Sequence, residues 1–274
     1  MAEKPTADWD ALAREWDQWR ANDRRPTLWW RDDDAVDVTP ALEELRRMAH
    51  VPVALAVIPM ALDQPLQERL GPYLRAWGHA RVLQHGVGHL NHAAAGAKKS
   101  EFPSTRALGE IELALTVAAT FLRDALGPEV LPVLTPPWNR IGDPALGLLP
   151  KLGFLGLSRF DEYPYAVKAP VAALFPPFGE INTQVDVIDW HGTRGFVGEG
   201  AALGRLVAHL AARRQGIVDP QTPTGILTHH LVHDTATWRF LENLQDWLAR
   251  RGDLDVFLDP RALWPSSWSG ESRG

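Results

Sequence analysis

Three consecutive carboxylates, Asp32, Asp33 and Asp34, follow the apolar stretch Leu28-Trp29-Trp30 and Arg31. Each has an ordinary pKa of about 3.9, so all three are charged at neutral pH and repel one another. A divalent cation would offset that repulsion. An acidic loop ahead of a helix is the plain alternative, because carboxylates favour helix N-termini. Thr39, five residues on, already caps the next helix.

Imidazoles supply the remaining chemistry. His85 and His89 are four apart in HGVGH, with Gly86 and Gly88 between them. On a helix that spacing puts both rings on one face, as in zinc proteases. Two glycines disfavour a regular helix, so convergence here requires a turn. One carboxylate, two imidazoles and a water form a common catalytic zinc set. A third group, Thr228-His229-His230 with His233 and Asp234, offers acid or base function. His92 is a solvated loop residue or a partner to the ligands.

The elements that must position these groups alternate. Trp9, Leu12, Trp16 and Trp19 mark a helical face within 8–21. Residues 28–31 read as a short strand, and Thr39-Pro40 opens a helix that runs to 50. PVALAVI (52–58) is a continuous apolar run, as expected of a strand buried on both faces. Helices are predicted over 62–77, 106–126, 143–152, 201–215 and 235–251. Strands are predicted over 80–84, 131–134, 154–158, 184–189, 225–229 and 254–258, with a long loop over 160–182. Strands separated by helices imply a parallel sheet with crossover helices.

Nearly every polar group of interest follows the C-terminal end of a predicted strand. These ends share one rim in parallel α/β folds, where catalytic groups gather. Asp32 and His229, more than 190 residues apart, would meet there. The strand count and this placement favour a barrel over a doubly wound sheet.

Composition bounds the rest. The 274 residues are 45% hydrophobic and 23% charged, with a net charge of −6. One large domain over 1–274 is expected, with helix 8–21 packed on it and a frayed tail over 265–274. The net charge and lack of a basic run speak against nucleic acid as a partner. There is no cysteine, so any metal needs His, Asp or Glu ligands. No secretory signal and no membrane-length apolar run occur, so a soluble, cytoplasmic protein with no membrane partner is expected. Twelve tryptophans are expected mainly in packing.

In this order the motifs resemble those of the polysaccharide deacetylases, carbohydrate esterase family 4. The resemblance spans residues 28–230. It rests on Trp30-Arg31-Asp32-Asp33-Asp34, His85 with His89, Thr135-Pro136-Pro137-Trp138, and Leu227-Thr228-His229. It implies a deformed (β/α) barrel of about seven parallel strands. It also implies a divalent metal, usually zinc, and removal of an acetyl group from an N-acetyl sugar or polysaccharide-like substrate. Aligned on the family, Asp32 is the catalytic base, Asp33, His85 and His89 hold the metal, and His229 is the acid. A register shifted by one residue is the alternative. A backbone N–H of the third motif would steady the oxyanion. Pro137, Trp138 and Arg140 would line the substrate site, with Arg31, Asp34, Asp186 and His230 in support.

The chain departs from the pattern at three places. Thr135 stands where the family has the arginine that orients the base, and Arg31 or Arg140 would have to substitute. Asp34 stands at the family's glycine. Asp186 and Trp190 only loosely match the pair that tunes the acid histidine. A hydrolase of a non-sugar amide and a silent carbohydrate-binding barrel are the alternative readings.

Overall fold

In the computed structural model of the chain, residues 5–61, 64–165 and 178–264 are described. Eight parallel strands form one sheet. They are β1 (Leu28–Ala35), β2 (Val53–Val57), β3 (Ala80–His85), β4 (Val130–Thr135), β5 (Gly156–Leu157), β6 (Gly179–Glu180), β7 (Val185–Asp186) and β8 (Thr224–Thr228). Their spatial order is β6-β5-β4-β3-β2-β1-β8-β7. The strands at the two ends of that order, β6 and β7, are consecutive in the chain, with only residues 181–184 between them. The sheet must therefore curl until its edges meet.

The connecting segment makes the closure visible. The Thr183 N–H donates to the Arg159 carbonyl (2.9 Å), and the next amide, Gln184 N–H, donates to the Gly225 carbonyl (2.8 Å). So β6 and β7 are two pieces of one passage that pairs with β5 on one side and β8 on the other. This is a deformed (β/α) barrel. It has eight strands among the described residues, where about seven were expected.

The helices are α1 (Trp9–Arg20), α2 (Pro40–Met48), α3 (Gln64–Trp77), α4 (Leu108–Leu126), α5 (Asp143–Leu146), α6 (Glu199–Arg214), α7 (Thr235–Arg250) and α8 (Pro260–Leu263). Thr39 caps α2 through Oγ1, which accepts the Leu42 N–H, and Pro40 takes the first position. Leu12, Trp16 and Trp19 on α1 are buried. Trp16 also donates to Asp253 at 2.8 Å and meets Trp247 of α7 edge-on.

Strand alternation divides the core into two layers. On β2, Val53, Leu55 and Val57 face the helices, and Ala54 and Ala56 face the barrel interior. On β1, Leu28 and Trp30 face outward and Trp29 inward. Trp29 and Trp264 fill the interior edge-to-face at 5.4 Å. Small neighbours make the room: a Cβ at Gly156 would lie 2.4 Å from Trp264, and one at Gly225 would lie 2.4 Å from Trp29. The tryptophans thus serve packing at these positions.

Several boundaries differ from the sequence expectation. The strand expected over 254–258 is a single helical turn with one bridge, Leu28 to Phe257. The helix expected over 143–152 is α5 followed by a separate turn at Leu149–Leu152. The loop expected over 160–182 contains β6, and its residues 166–177 lie outside the described residues, as do the expected tail 265–274 and the start of the helix at 62–63.

Candidate active site

The carboxylate block at the end of β1 is sorted by strand geometry. Arg31 and Asp33 share the inward face with Trp29, while Asp32 shares the outward face with Trp30. A regular strand would send Asp34 outward as well. Instead Asp34 has φ +68°, a left-handed conformation, and the β1–β2 register shifts between Asp32 and Ala35. The kink re-aims a side chain. Asp33 and Asp34 both line the cavity at the barrel mouth, and Asp32 does not.

This is the arrangement of the register shifted by one residue, the alternative reading of the motif. Asp34, rather than Asp33, meets the two histidines. Its Oδ1 lies 3.1 Å from His85 Nε2 and 3.4 Å from His89 Nε2. Asp33, expected as a metal ligand, instead pairs with Arg31. Asp32, expected as the base, is fully buried on the far side of the strand.

HGVGH is a turn. Gly86 and His89 both have positive φ, +61° and +56°. Gly86 is also sterically required, because a Cβ there would lie 2.0 Å from Glu101 Oε2 and 2.6 Å from the Pro137 ring. Glu101, buried and 14 residues away, shapes the turn. It accepts the N–H groups of Val87 (3.0 Å), Gly88 (2.8 Å) and, more weakly, Leu90 (3.4 Å). His85 is oriented separately, its Nδ1 donating to the Thr135 carbonyl at 3.0 Å. That bond leaves Nε2 facing Asp34.

The ligand atoms of Asp34, His85 and His89 lie within 4.8 Å of one another. Ligands on one zinc ion, at about 2.0–2.2 Å each, sit closer together than that, at separations like the two Asp34 distances. The backbone bond to His85 Nδ1 is the kind of outer partner that fixes a ligating imidazole. The donor set therefore fits a divalent cation.

Charge supports the fit. Burial opposes ionisation of Asp34, but the hydrogen bond from His85 and the neighbouring imidazoles of His85, His229 and His89 hold its carboxyl well below the usual range. His89 titrates below an ordinary histidine through burial and the charge of His85, which keeps its lone pair available. Burial likewise lowers His85, yet Asp33 and Asp34 together raise it. A cation there would displace its proton.

Asp33 sits beside this cluster in a two-pronged ion pair. Arg31 Nε donates to Oδ1 at 2.8 Å and Nη2 to Oδ2 at 3.0 Å. The guanidinium is itself fixed by Ser158 Oγ (2.7 Å), the Arg159 carbonyl (3.2 Å) and Asn139 Oδ1 (2.8 Å). Arg31 thus holds the Asp33 carboxylate in one orientation. Arg140 lines the same cavity, its Nη1 donating to the Lys99 carbonyl at 3.0 Å.

His229 leaves β8, the strand that pairs with β1, and its Nε2 lies 3.9 Å from Asp33 Oδ2. Its ring meets Trp190 edge-on at 4.6 Å, and Trp190 Nε1 donates to Asp186 Oδ2 at 2.9 Å. Asp186 and Trp190 therefore do stand behind the histidine. Burial pushes Asp186 above its ordinary value, against His229, the Ile188 amide and Trp190. His230 turns away from the cavity and pairs with Asp32. His92 lies on an exposed stretch beyond the turn and is not among the lining residues.

The cavity measures about 640 Å³. Trp138, with φ +55°, packs on His89 at 4.4 Å, and Trp190, Phe160 and Tyr163 add aromatic walls. Pro137 is buried beneath, against Gly86. Sequence reasoning missed Glu101 and Ser158. Neither carries a local signal, because Glu101 acts across a turn and Ser158 on a residue distant in the chain.

No protein-family model and no curated protein matches the chain. Solved structures do match. Bc1960, a peptidoglycan N-acetylglucosamine deacetylase, superimposes with a TM-score of 0.53 at 14% identity, covering 88% of this chain and 89% of its own. A Streptococcus mutans CE4 esterase gives 0.53 at 15% identity, with 90% of each chain covered. A Mycobacterium smegmatis protein assigned to the polysaccharide deacetylases gives 0.53 at 16%, covering 94% and 91%. The chain has the polysaccharide-deacetylase fold.

Proposed function

We propose that the protein is a metal-dependent hydrolase that removes an N-acetyl group from a sugar or polysaccharide-like substrate. The observation that carries this reading is the Asp34, His85 and His89 cluster, with an arginine-held Asp33 and His229 beside it in the same cavity. A divalent ion on the cluster, zinc by its donor set, would polarise the acyl carbonyl and lower the pKa of a water.

The chain's own residues account for the proton movements. Asp33, rather than Asp32, is placed to take the proton of the attacking water, its carboxylate held in one orientation by Arg31. His229 Nε2 lines the same cavity from the neighbouring strand end and would give a proton to the departing amine. In the 137–139 turn the Asn139 and Arg140 amides are spent on the Pro136 and Pro137 carbonyls. The Trp138 N–H is the candidate oxyanion donor. The aromatic walls suit the apolar faces of a sugar ring and exclude water.

Arg31 favours an enzyme over a silent barrel, because it restores to Asp33 the partner that Thr135 lacks. The test is acetate release from a panel of N-acetylated sugars and oligosaccharides, paired with elemental mass spectrometry. About one divalent ion per chain and acetate release that stops with a chelator are expected. Bound metal without turnover of any member would leave the amide outside sugars, or binding alone.

A further inference from the structure

Asp32 is the carboxylate that the reaction does not use. It is fully buried, and its outward neighbours on β1, Leu28 and Trp30, are apolar. Burying a carboxylate costs several kcal/mol unless donors compensate. Asp32 has three, all from one place. Thr228 Oγ1 donates to Oδ2 at 2.6 Å, the His230 N–H donates to Oδ2 at 3.0 Å, and His230 Nδ1 donates to Oδ1. Trp30 Nε1 holds Thr228 Oγ1 in turn at 2.7 Å.

These donors flank His229 on both sides in the chain. His229 has little hold of its own: its buried Nδ1 has no hydrogen-bond partner among the described residues. Its N–H donates to His233 Nε2 at 3.3 Å, a long bond, and its ring is otherwise placed by the Trp190 contact. The position of His229 Nε2 opposite Asp33 therefore depends on the backbone of 228–230, and Asp32 grips that backbone from below.

We propose that Asp32 is a positioning residue for His229. It ties the exit of β8 to the strand that bears Asp33 and Asp34, so that the acid histidine and the two carboxylates are located by a single residue run. The chemical part rests on the deacetylase reading. The placement does not.

The test combines kinetics with a readout free of turnover. Asp32→Asn keeps the size of the side chain and removes its charge. It should retain the metal, fall about 10–10²-fold in kcat at unchanged KM, as a misplacement of about 1 Å does, and move the limb of the pH–kcat profile that belongs to His229. His230→Ala should act the same way, and the double variant should be no slower than Asp32→Asn. In protein labelled with ¹⁵N-histidine, the His229 ring resonances should broaden or double in Asp32→Asn while those of His85 and His89 stay put. Thr228→Val, a milder change, should shift the same resonances less, and it serves if Asp32→Asn does not fold. Unchanged His229 resonances in the folded variant, with kcat equal to wild type, would overturn the proposal. Absence of any deacetylation by the wild-type protein would instead count against the deacetylase reading, and the resonances would still decide the placement.

Discussion

Arg31 and Asp33, two residues apart on the inward face of β1, form a buried two-pronged ion pair at 2.8 and 3.0 Å. Neither side chain is more than 2% exposed. The pair sets which oxygen of Asp33 faces the cavity. Breaking a buried pair by removing one partner costs about 3–5 kcal/mol. Arg31→Met should therefore lower stability by that order and remove turnover, with bound metal retained. Chemical denaturation and metal content check the two halves separately.

The register makes a sharp contrast between neighbouring carboxylates. Asp34→Asn should lose the metal and activity together, as should His85→Ala and His89→Ala. Asp33→Asn should keep the metal and lose turnover. Metal content by elemental mass spectrometry separates the two classes. Retention in Asp34→Asn with loss in Asp33→Asn would restore the register expected from the sequence.

Glu101 is buried away from the cavity lining, yet it holds three amides of the histidine turn. Glu101→Gln weakens those bonds and should cut metal affinity about 10–100-fold, the usual effect of an outer partner. Gly86→Ala forces a Cβ into Glu101 and Pro137 at a positive φ and should cost more. Competition with a chromogenic chelator measures both.

His229→Ala should slow turnover about 10²–10⁴-fold with metal bound, the range of a general acid. A leaving group of low pKa needs no protonation and should recover most of the rate. An unimpaired variant would remove the role.

Away from the site, His209 is buried, with Nδ1 2.9 Å from Thr224 Oγ1. Burial and the charge of Arg213 push its pKa down to about 3. The unfolded chain protonates this histidine near pH 6.5, whereas the folded protein does not until about pH 3. Its stabilisation is thus complete above about pH 6.5 and is lost as pH falls towards 3. His209→Gln should reduce the slope of stability against pH in that window by up to about 1.4 kcal/mol per unit. Urea denaturation at several pH values measures it.

The kinds of group at the site, and the rim they share, can be read from the residues alone. PVALAVI reads as a buried strand because its residues are apolar on both faces, and β2 is one. Asp32–Asp34, His85, His89 and His229 were legible because each follows a predicted strand, and parallel strands end on one side. Thr135 in place of an arginine pointed to Arg31 or Arg140 as a substitute. Side-chain direction, by contrast, comes from contacts across the fold. Nothing local says that Asp34 takes a left-handed φ, which puts adjacent carboxylates on one side and makes Asp34 the ligand candidate. Glu101 was silent because its partners lie across a turn. The closure through 181–184 was silent because β6 and β7 are two residues each, too short for a periodicity to show. Side-chain type is fixed residue by residue, but the face a side chain takes at a kink depends on contacts made across the barrel.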